Sequence, residues 1–414
     1  MLGLAGCQPP QALKAEERQF AGVSPTAIAQ QSPTAPAKNS DVEALINMGP
    51  RVAGTPVMEQ ASTYLQDEFR KAGYVATIQT FTYSKFVDQG STLTVDGAPI
   101  SGRALQGTIP QNLTARLVAV PNVGRPSDFA GVDVKGAIAI VVRGEIPFGE
   151  KAQNAAQAGA VGLVIVNNQS GNFAGTLNRE VTIPVLAMSK EQGEPLLARS
   201  RQGTFNATLA VNARRQDVIG RNVVAHLANV TQPKVLLGGH YDSVAGSPGA
   251  NDNASGTAVV LAIARNLAKT DLARQAWFVA FDGEEDGLHG SRAFVKSASP
   301  NFLKGLKGMM NFDMVGINEQ LRASGSPELT KLAKVADSDV AMSGSSNNGG
   351  SDHASFATAG VPVLFFHRGL DPNYHKPSDK VVNPKLLDET TETALNVLRQ
   401  LFTSESGMVD PESL

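Results

Sequence analysis

The chain has 414 residues, of which 42% are hydrophobic and 18% are charged, a composition typical of a soluble globular protein with two domains. Its 36 Lys and Arg balance 38 Asp and Glu, so charge gives no reason to expect nucleic acid or an anionic membrane surface as a partner. Because the sequence contains no run of about 18 apolar residues, we expect no transmembrane helix.

A cysteine near the start of the chain lies in a lipoprotein-like context. Leu4-Ala5-Gly6-Cys7 resembles the lipobox of bacterial lipoproteins, in which a signal peptide is cleaved before a cysteine that carries lipid. The following segment, 8–39, is rich in Pro, Ala, Gln, Ser and Thr and cannot bury enough apolar surface to fold alone. We therefore interpret residues 1–40 as a truncated lipoprotein-type signal and disordered linker. We expect an extracytoplasmic protein, anchored through Cys7 or secreted, and a cytosolic tail with an unrelated cysteine is the alternative.

Periodicity predicts the first folded segment, 41–90. Apolar residues recur at helical spacing over 58–71, which predicts a helix that Gly73 ends. Alternating side chains over 75–83 then predict a strand. The loop 50–56, rich in glycine and proline, is interpreted as connecting structure.

Residues 91–213 differ in composition, with short strands and turns and none of the concentrated His, Asp and Glu of the later chain. Apolar runs at 136–144 and 161–168 predict buried strands on either side of a helix over 148–160. This order, followed by the apolar run 183–188, resembles the β-rich protease-associated domain that is inserted in many exopeptidases. We expect the insertion to shape access to a site rather than to perform chemistry.

The next stretch predicts a parallel sheet with a site at one edge. Apolar runs at 235–239 and 276–281 predict two buried strands, and the segment 257–267, rich in Ala and Val, predicts a helix that crosses between them. His240 follows the first strand, and Asp282 begins an acidic turn after the second. Because ligands bind at the carboxyl ends of the strands in open α/β sheets, we expect the functional site there.

Side chains that suit a metal ion lie at the ends of several apolar segments. Five of them carry imidazole or carboxylate groups, the ligand types of zinc and its neighbours: His240, Asp252, Glu285, Asp313 and His375. One catalytic zinc uses three protein ligands and leaves a fourth position for water, so five ligands predict two ions that share one carboxylate. Such a pair activates a water and stabilises a tetrahedral intermediate. Cobalt and manganese accept the same ligands, so residue type alone does not choose among these metals.

Two further carboxylates are predicted to act beside the ions. If Glu285 binds metal, the preceding Glu284 stays free to take the proton of the water and pass it to the leaving amine. Asp242 lies two residues after His240 and can accept the other ring N–H of that imidazole, which fixes its tautomer.

These residues lie in motifs that resemble those of the co-catalytic dizinc aminopeptidases, members of the superfamily that also contains glutamate carboxypeptidase and the transferrin receptor. The motifs follow one another in the order of that family, at 240–243, 249–256, 282–291, 311–316 and 374–375. The resemblance implies the zinc exopeptidase fold, an α/β fold in which helices sandwich a mostly parallel mixed sheet.

The resemblance also implies a role for each site residue. His240 and Asp313 would complete one zinc site, Glu285 and His375 the other, and Asp252 would bridge the two ions.

Two catalytic roles come from the same resemblance. Glu284 matches the general base, and Tyr374 matches a tyrosine that steadies the oxyanion. The segment 351–353 resembles a family motif near the pocket, and we assign it no ligand. The remaining histidines are interpreted as packing or hydrogen-bonding residues: His226, His289, His353 and His367.

We therefore predict a metallo-exopeptidase that uses two zinc ions to hydrolyse amino-terminal residues from peptides. The exopeptidase domain would comprise 41–90 and 214–405, with the protease-associated domain at 91–213 and a tail at 406–414. Three alternatives stay open: a glutaminyl cyclase-like acyltransferase, a receptor-like binding module that has lost catalysis, and carboxypeptidase or dipeptidase action.

Overall fold

The computed structural model describes residues 39–344 and 350–406, which form two eight-stranded sheets and the helices around them. The strands are β1 (Val75–Asp88), β2 (Thr92–Val95), β3 (Ala98–Ser101), β4 (Arg103–Ala104), β5 (Gln111–Ala119), β6 (Ile138–Val142), β7 (Gly162–Val166), β8 (Val185–Met188), β9 (Phe205–Val211), β10 (Ala213–His226), β11 (Val235–His240), β12 (Ala276–Phe281), β13 (Gly308–Phe312), β14 (Arg322–Gly325), β15 (Ala341–Met342) and β16 (Val363–His367). The helices are α1 (Asn39–Asn47), α2 (Pro56–Lys71), α3 (Phe148–Gln157), α4 (Lys190–Gln202), α5 (Ser255–Leu267), α6 (His289–Ser297), α7 (Pro300–Gly305), α8 (Pro327–Ala336), α9 (His353–Thr358) and α10 (Pro384–Ser406). The predicted lipobox with Cys7 and the tail after residue 406 lie outside the described residues.

The first sheet is mixed, with strand order β1-β10-β12-β11-β13-β16-β14-β15. Its central strands β12, β11, β13 and β16 run parallel, so their carboxyl ends lie at one edge. At the other side, β1 pairs antiparallel with β10 along its whole length, from Val75 opposite His226 to Asp88 opposite Ala213. β1 therefore extends past the predicted end at Tyr83, because β10 offers backbone partners as far as Asp88.

Helices cover both faces of this sheet. The successive residues Leu236 and Leu237 of β11 point to opposite faces, as neighbours in a strand must. Leu237 belongs to an apolar cluster shared with α2, α5 and α10, whereas Leu236 packs with residues of α6, α7 and α9. The predicted α/β fold, a mixed sheet between helices, is confirmed. Among the helices of residues 39–344 and 350–406, none is long and apolar enough to span a bilayer.

The second sheet lies between β1 and β10 in the chain and has the order β3-β2-β9-β5-β6-β7-β8-β4. Strands β5 to β8 run parallel, and β6 and β7, which the apolar runs predicted, are almost completely buried. Helix α3 connects them, as predicted, and ends at Gln157, a turn earlier than expected. Apolar clusters lie on both sides of this sheet, so the insertion has a core of its own.

Candidate metal centre

The five candidate ligands lie at the carboxyl ends of the central parallel strands. His240 is the last residue of β11, and Asp313 directly follows β13. Glu285 comes from the turn after β12, Asp252 from the loop before α5, and His375 from the loop after β16. Parallel strands end at the same edge of a sheet, which is why segments so distant in the chain meet here.

The five side chains form two groups that share Asp252. In one group, Nε2 of His240 lies 3.4 Å from Oδ1 of Asp252 and 3.4 Å from Oδ1 of Asp313. In the other, Nε2 of His375 lies 3.1 Å from Oδ2 of Asp252 and 3.1 Å from Oε2 of Glu285. Within each group the potential ligand atoms all lie within 4.8 Å of one another. The two oxygens of one carboxylate thus face two separate sets of donors.

Buried oxygens in this cluster lack protein donors. Oδ1 of Asp313 and Oε1 of Glu285 are buried without a hydrogen-bond partner among the described residues. A buried acceptor that loses water and gains no partner costs about 1–3 kcal/mol, and more if it is charged. Divalent cations would supply the missing partners, so the residues present fit the two-ion site.

The pKa values of these groups show an excess of negative charge in a buried place. Burial raises the pKa of Glu285 to about 7. Burial, followed by repulsion from carboxylates such as Asp313 and Asp352, also raises the pKa of Glu284. Burial acts against the charged imidazole of His375, yet its hydrogen bonds to Asp252 and Glu285 prevail and raise its pKa to about 10. Such a cluster attracts cations because they balance its charge.

Asp242 contacts both the imidazole of His240 and the acidic turn. Its Oδ1 lies 3.4 Å from Nδ1 of His240, on the ring edge opposite the candidate metal site. The two oxygens also accept the backbone N–H groups of Glu284 and Glu285, each at 3.2 Å. The second set of contacts was not predicted, because it depends on how the turn after β12 folds back toward β11.

The loop that carries Asp252 is held by a residue that the sequence analysis did not single out. Asp379 accepts the backbone N–H of Asn251 at 2.8 Å and that of Asp252 at 3.1 Å. Asn253 anchors the other side of the loop, since its side-chain amide donates to the carbonyl of Phe312 at 2.8 Å. The loop is therefore held on both sides of Asp252, by Asp379 through backbone N–H groups and by the side chain of Asn253.

Arg51 is a second residue missed from the sequence. It lies in the loop interpreted as connecting structure, but it is fully buried and its guanidinium donates to the carbonyls of Tyr241, Pro248 and Gly249 at 2.6, 2.5 and 2.9 Å. These carbonyls belong to the loop between His240 and Asp252. An arginine among glycines and prolines was the only signal available, and it did not indicate burial.

A cavity of about 230 Å³, here called the inner pocket, opens over the cluster. Asp252, Glu284, Glu285, Asp313 and His375 form its polar side, and Met314, Phe365 and Leu370 contribute apolar surface. Tyr374 also lines it, and its ring stacks on that of His375 with centroids 3.7 Å apart. Glu284 belongs to neither ligand group and its Oε2 lies 4.0 Å from Nε2 of His240.

The other four histidines lie outside the two groups of ligands. Each ring stacks on an aromatic neighbour: His226 on Trp277, His289 on Tyr83, and both His353 and His367 on Phe365. The segment predicted to lie near the pocket places Asp352 and His353 in completely buried positions.

Comparison with known proteins agrees with this architecture. The model of peptidase family M28 matches residues 222–398, and that of the PA domain matches residues 113–196. Aminopeptidase YwaD of Bacillus subtilis is 32% identical over 360 residues, which cover 81% of this chain and 77% of that protein. The probable lipoprotein aminopeptidase LpqL of Mycobacterium tuberculosis is 32% identical over 404 residues, covering 85% and 79%.

A solved structure has a similar fold. BSAP, a zinc aminopeptidase from Bacillus subtilis, is 30% identical and superposes with a TM-score of 0.77. The superposition covers 90% of this chain and 96% of the BSAP chain. Helices cover the mixed sheet, a second sheet is inserted, and imidazoles and carboxylates cluster at the carboxyl ends of the strands. These features define the class of protein, a peptidase with the zinc exopeptidase fold. The chain belongs to peptidase family M28 and carries an inserted PA domain. Both family resemblances predicted from the motifs are confirmed.

Proposed function

We propose that the protein is a zinc-dependent aminopeptidase that hydrolyses amino-terminal residues from peptides. The observation that carries this proposal is the position of Asp252, whose two oxygens face two separate groups of ligands. The zinc aminopeptidase BSAP and the aminopeptidases YwaD and LpqL support the choice of metal and reaction.

In this proposal His240 and Asp313 would hold one zinc ion, Glu285 and His375 would hold the other, and Asp252 would offer one oxygen to each. When bound, the two ions would lower the pKa of a water molecule and polarise the scissile carbonyl. The protein contributes the fixed positions of the ligands, because each of them follows a strand or a hydrogen-bonded loop.

Glu284 is the proposed general base. It lines the inner pocket without belonging to a ligand group, so its carboxylate is free to take a proton from the attacking water and deliver it to the leaving amine. Asp242 is a positioning residue, since it touches the imidazole of His240 and both N–H groups of the turn that carries Glu284.

The hydroxyl of Tyr374 is proposed to donate a hydrogen bond to the oxyanion that forms on the scissile carbonyl. Burial, followed by the nearby carboxylates Asp252 and Glu285, raises the pKa of this phenol, so the hydroxyl keeps its proton at neutral pH. A protonated hydroxyl can act as a donor, whereas a phenolate cannot.

We also propose the domain division and location expected from the sequence. Residues 41–90 and 214–405 would form the peptidase domain and 91–213 the PA domain. LpqL is named a probable lipoprotein, which supports a lipid anchor at Cys7 and an extracytoplasmic location.

One assay tests the proposal. Purified protein is given aminoacyl anilides, the same anilides with a blocked amino group, and a peptide with amino-terminal glutamine, with and without a chelator. We expect hydrolysis of the unblocked anilides alone, its loss with chelator, and its return on addition of zinc. Cyclisation of the glutaminyl peptide would favour the acyltransferase instead. No activity toward any substrate after zinc addition would favour a binding module.

A further inference from the structure

A second cavity of about 560 Å³, here called the outer cleft, lies beside the inner pocket. The two cavities share Glu285 and His375, so they meet at one of the proposed zinc ions. The end of β1, residues 84–86 and Asp88, lines the outer cleft together with Arg103 and Gln106 of the PA insertion. The PA insertion therefore forms part of the path to the metal centre.

The sizes of the two cavities suit the parts of a peptide on either side of the scissile bond. The inner pocket, with about 230 Å³ and apolar walls, has room for one amino-terminal residue. The outer cleft, with about 560 Å³, has room for the residues that follow. This assignment rests on the proposed function, in which the scissile bond lies at the shared edge of the two cavities.

The wall from the PA insertion is held firmly against β1. Oδ2 of Asp88, the last residue of β1, accepts the backbone N–H of Ala104 at 2.8 Å, directly after Arg103. Further along this wall, the N–H of Gln106 donates to the carbonyl of Gly175, and the N–H of Leu177 donates to the carbonyl of Gln106, each at 2.9 Å. The backbone of Arg103 is thus held at a set position.

Two acidic side chains of the cleft outside the candidate metal centre, Asp286 and Asp88, already have partners. Asp286 accepts from the hydroxyl of Tyr83 at 2.6 Å and pairs with Nζ of Lys85 at 2.8 Å. Asp88 accepts from backbone and hydroxyl groups through both oxygens. Arg103, in contrast, is exposed and makes no side-chain hydrogen bond or ion pair with any residue in the described part of the chain. The outer cleft thus presents one guanidinium whose N–H donors are free to pair with a ligand.

We propose that the outer cleft binds the part of the peptide that follows the scissile bond and that Arg103 pairs with a carboxylate there. The guanidinium offers a planar set of N–H donors that matches a carboxylate. That carboxylate has two sources, the carboxyl terminus of a short peptide or an acidic side chain in a longer one.

The test compares zinc-loaded wild type with Arg103→Gln and with the control Arg201→Gln, an exposed arginine that does not line the cleft. Four substrates separate the sources: leucyl anilide, Leu-Gly-Gly, Leu-Gly-Gly-amide and Leu-Gly-Glu-amide. We expect Arg103→Gln to raise KM by about three- to tenfold for substrates that carry a carboxylate, the size of a partly exposed ion pair, while kcat changes little.

The neutral substrates serve as internal references. For leucyl anilide, and likewise for Leu-Gly-Gly-amide, KM should be unchanged between wild type, Arg103→Gln and Arg201→Gln. If KM of Arg103→Gln rises only for Leu-Gly-Gly, Arg103 pairs with the carboxyl terminus of the peptide. If KM rises only for Leu-Gly-Glu-amide, Arg103 pairs with an acidic side chain. Equal KM values for all four substrates in Arg103→Gln and wild type, or an equal rise for all four, would overturn the inference. Failure of wild type to cleave leucyl anilide would instead refute the proposed peptidase activity.

Discussion

The guanidinium of Arg51 donates to the carbonyl oxygen of Gly249 at 2.9 Å and so joins the first loop of the fold to the loop that carries Asp252. Further bonds to the carbonyls of Tyr241 and Pro248 complete this buried contact. A side chain near the beginning of the described chain thus supports the metal centre without lining the pocket over it.

Replacing Arg51 by methionine should therefore destabilise the protein. The variant leaves three carbonyls without donors, and we expect the free energy of unfolding to fall by about 3 kcal/mol or more. Urea denaturation monitored by circular dichroism measures this loss. The control Arg70→Met removes an exposed arginine and should cost much less. If the two variants lose equal free energy of unfolding, the contacts of Arg51 stabilise the protein no more than those of an exposed arginine.

Metal content should depend on Asp252 more than on either histidine. Asp252→Asn removes one charged oxygen from the residue that faces both ligand groups, so we expect loss of both zinc ions. His240→Gln and His375→Gln each remove a ligand of one group, and each should leave about one equivalent bound. Elemental analysis after dialysis gives the count. Two equivalents retained by Asp252→Asn would contradict the shared carboxylate.

Glu284→Gln should separate catalysis from metal binding. The amide cannot accept the proton of the water, and we expect kcat for leucyl anilide to fall by about 10²- to 10⁴-fold. Zinc content should stay at the wild-type value, because Glu284 belongs to neither ligand group. The neighbouring Glu285→Gln is the matched comparison and should lose zinc. Activity near wild type in Glu284→Gln would rule out the proposed base.

The inner pocket should select apolar amino-terminal side chains. Leu370 lines it and is 70% exposed, so a residue placed there meets the bound side chain rather than the core. We expect Leu370→Glu to lower kcat/KM for leucyl anilide and raise it for lysyl anilide, a change in their ratio of about tenfold. Val335→Glu, at a 74% exposed position outside the pocket, should leave the ratio unchanged.

Lys151 should make the stability of the PA insertion depend on pH. Its ammonium group is buried and donates to the carbonyls of Val123, Val142 and Gly144, and burial lowers the pKa of Lys151 from 10.5 to about 8. Between these values the unfolded chain binds more protons than the folded one, so the contribution of Lys151 to stability rises with pH.

Thermal unfolding at several pH values tests this sign. The difference in melting temperature between wild type and Lys151→Met should shift in favour of wild type as pH rises from 7 to 10 and should change little below pH 7. The control Lys135→Met replaces an exposed lysine of the same insertion and should show no such trend. A constant difference for Lys151→Met across this range would contradict the lowered pKa.

The strands of the central sheet could be predicted from the sequence because their evidence is local. The apolar runs of β11 and β12 are visible in a few residues each, and both end in polar groups that suit a metal. The motifs around His240, Asp252 and Glu285 identified the family for the same reason, since each motif is a short stretch of neighbouring residues.

Contacts between distant segments were decided only by the tertiary structure. Arg51 reaches the Asp252 loop from a segment with no metal-ligand pattern, and Asp379 reaches it from the loop of His375 although no motif marked it. Arg103 faces the cleft because the PA insertion folds back onto the end of β1. Residue type and local spacing do not indicate which distant segments come into contact. They arise when the strands assemble and bring the ends of the sheet and its insertion together, so the supports of the metal centre appear only in the folded chain.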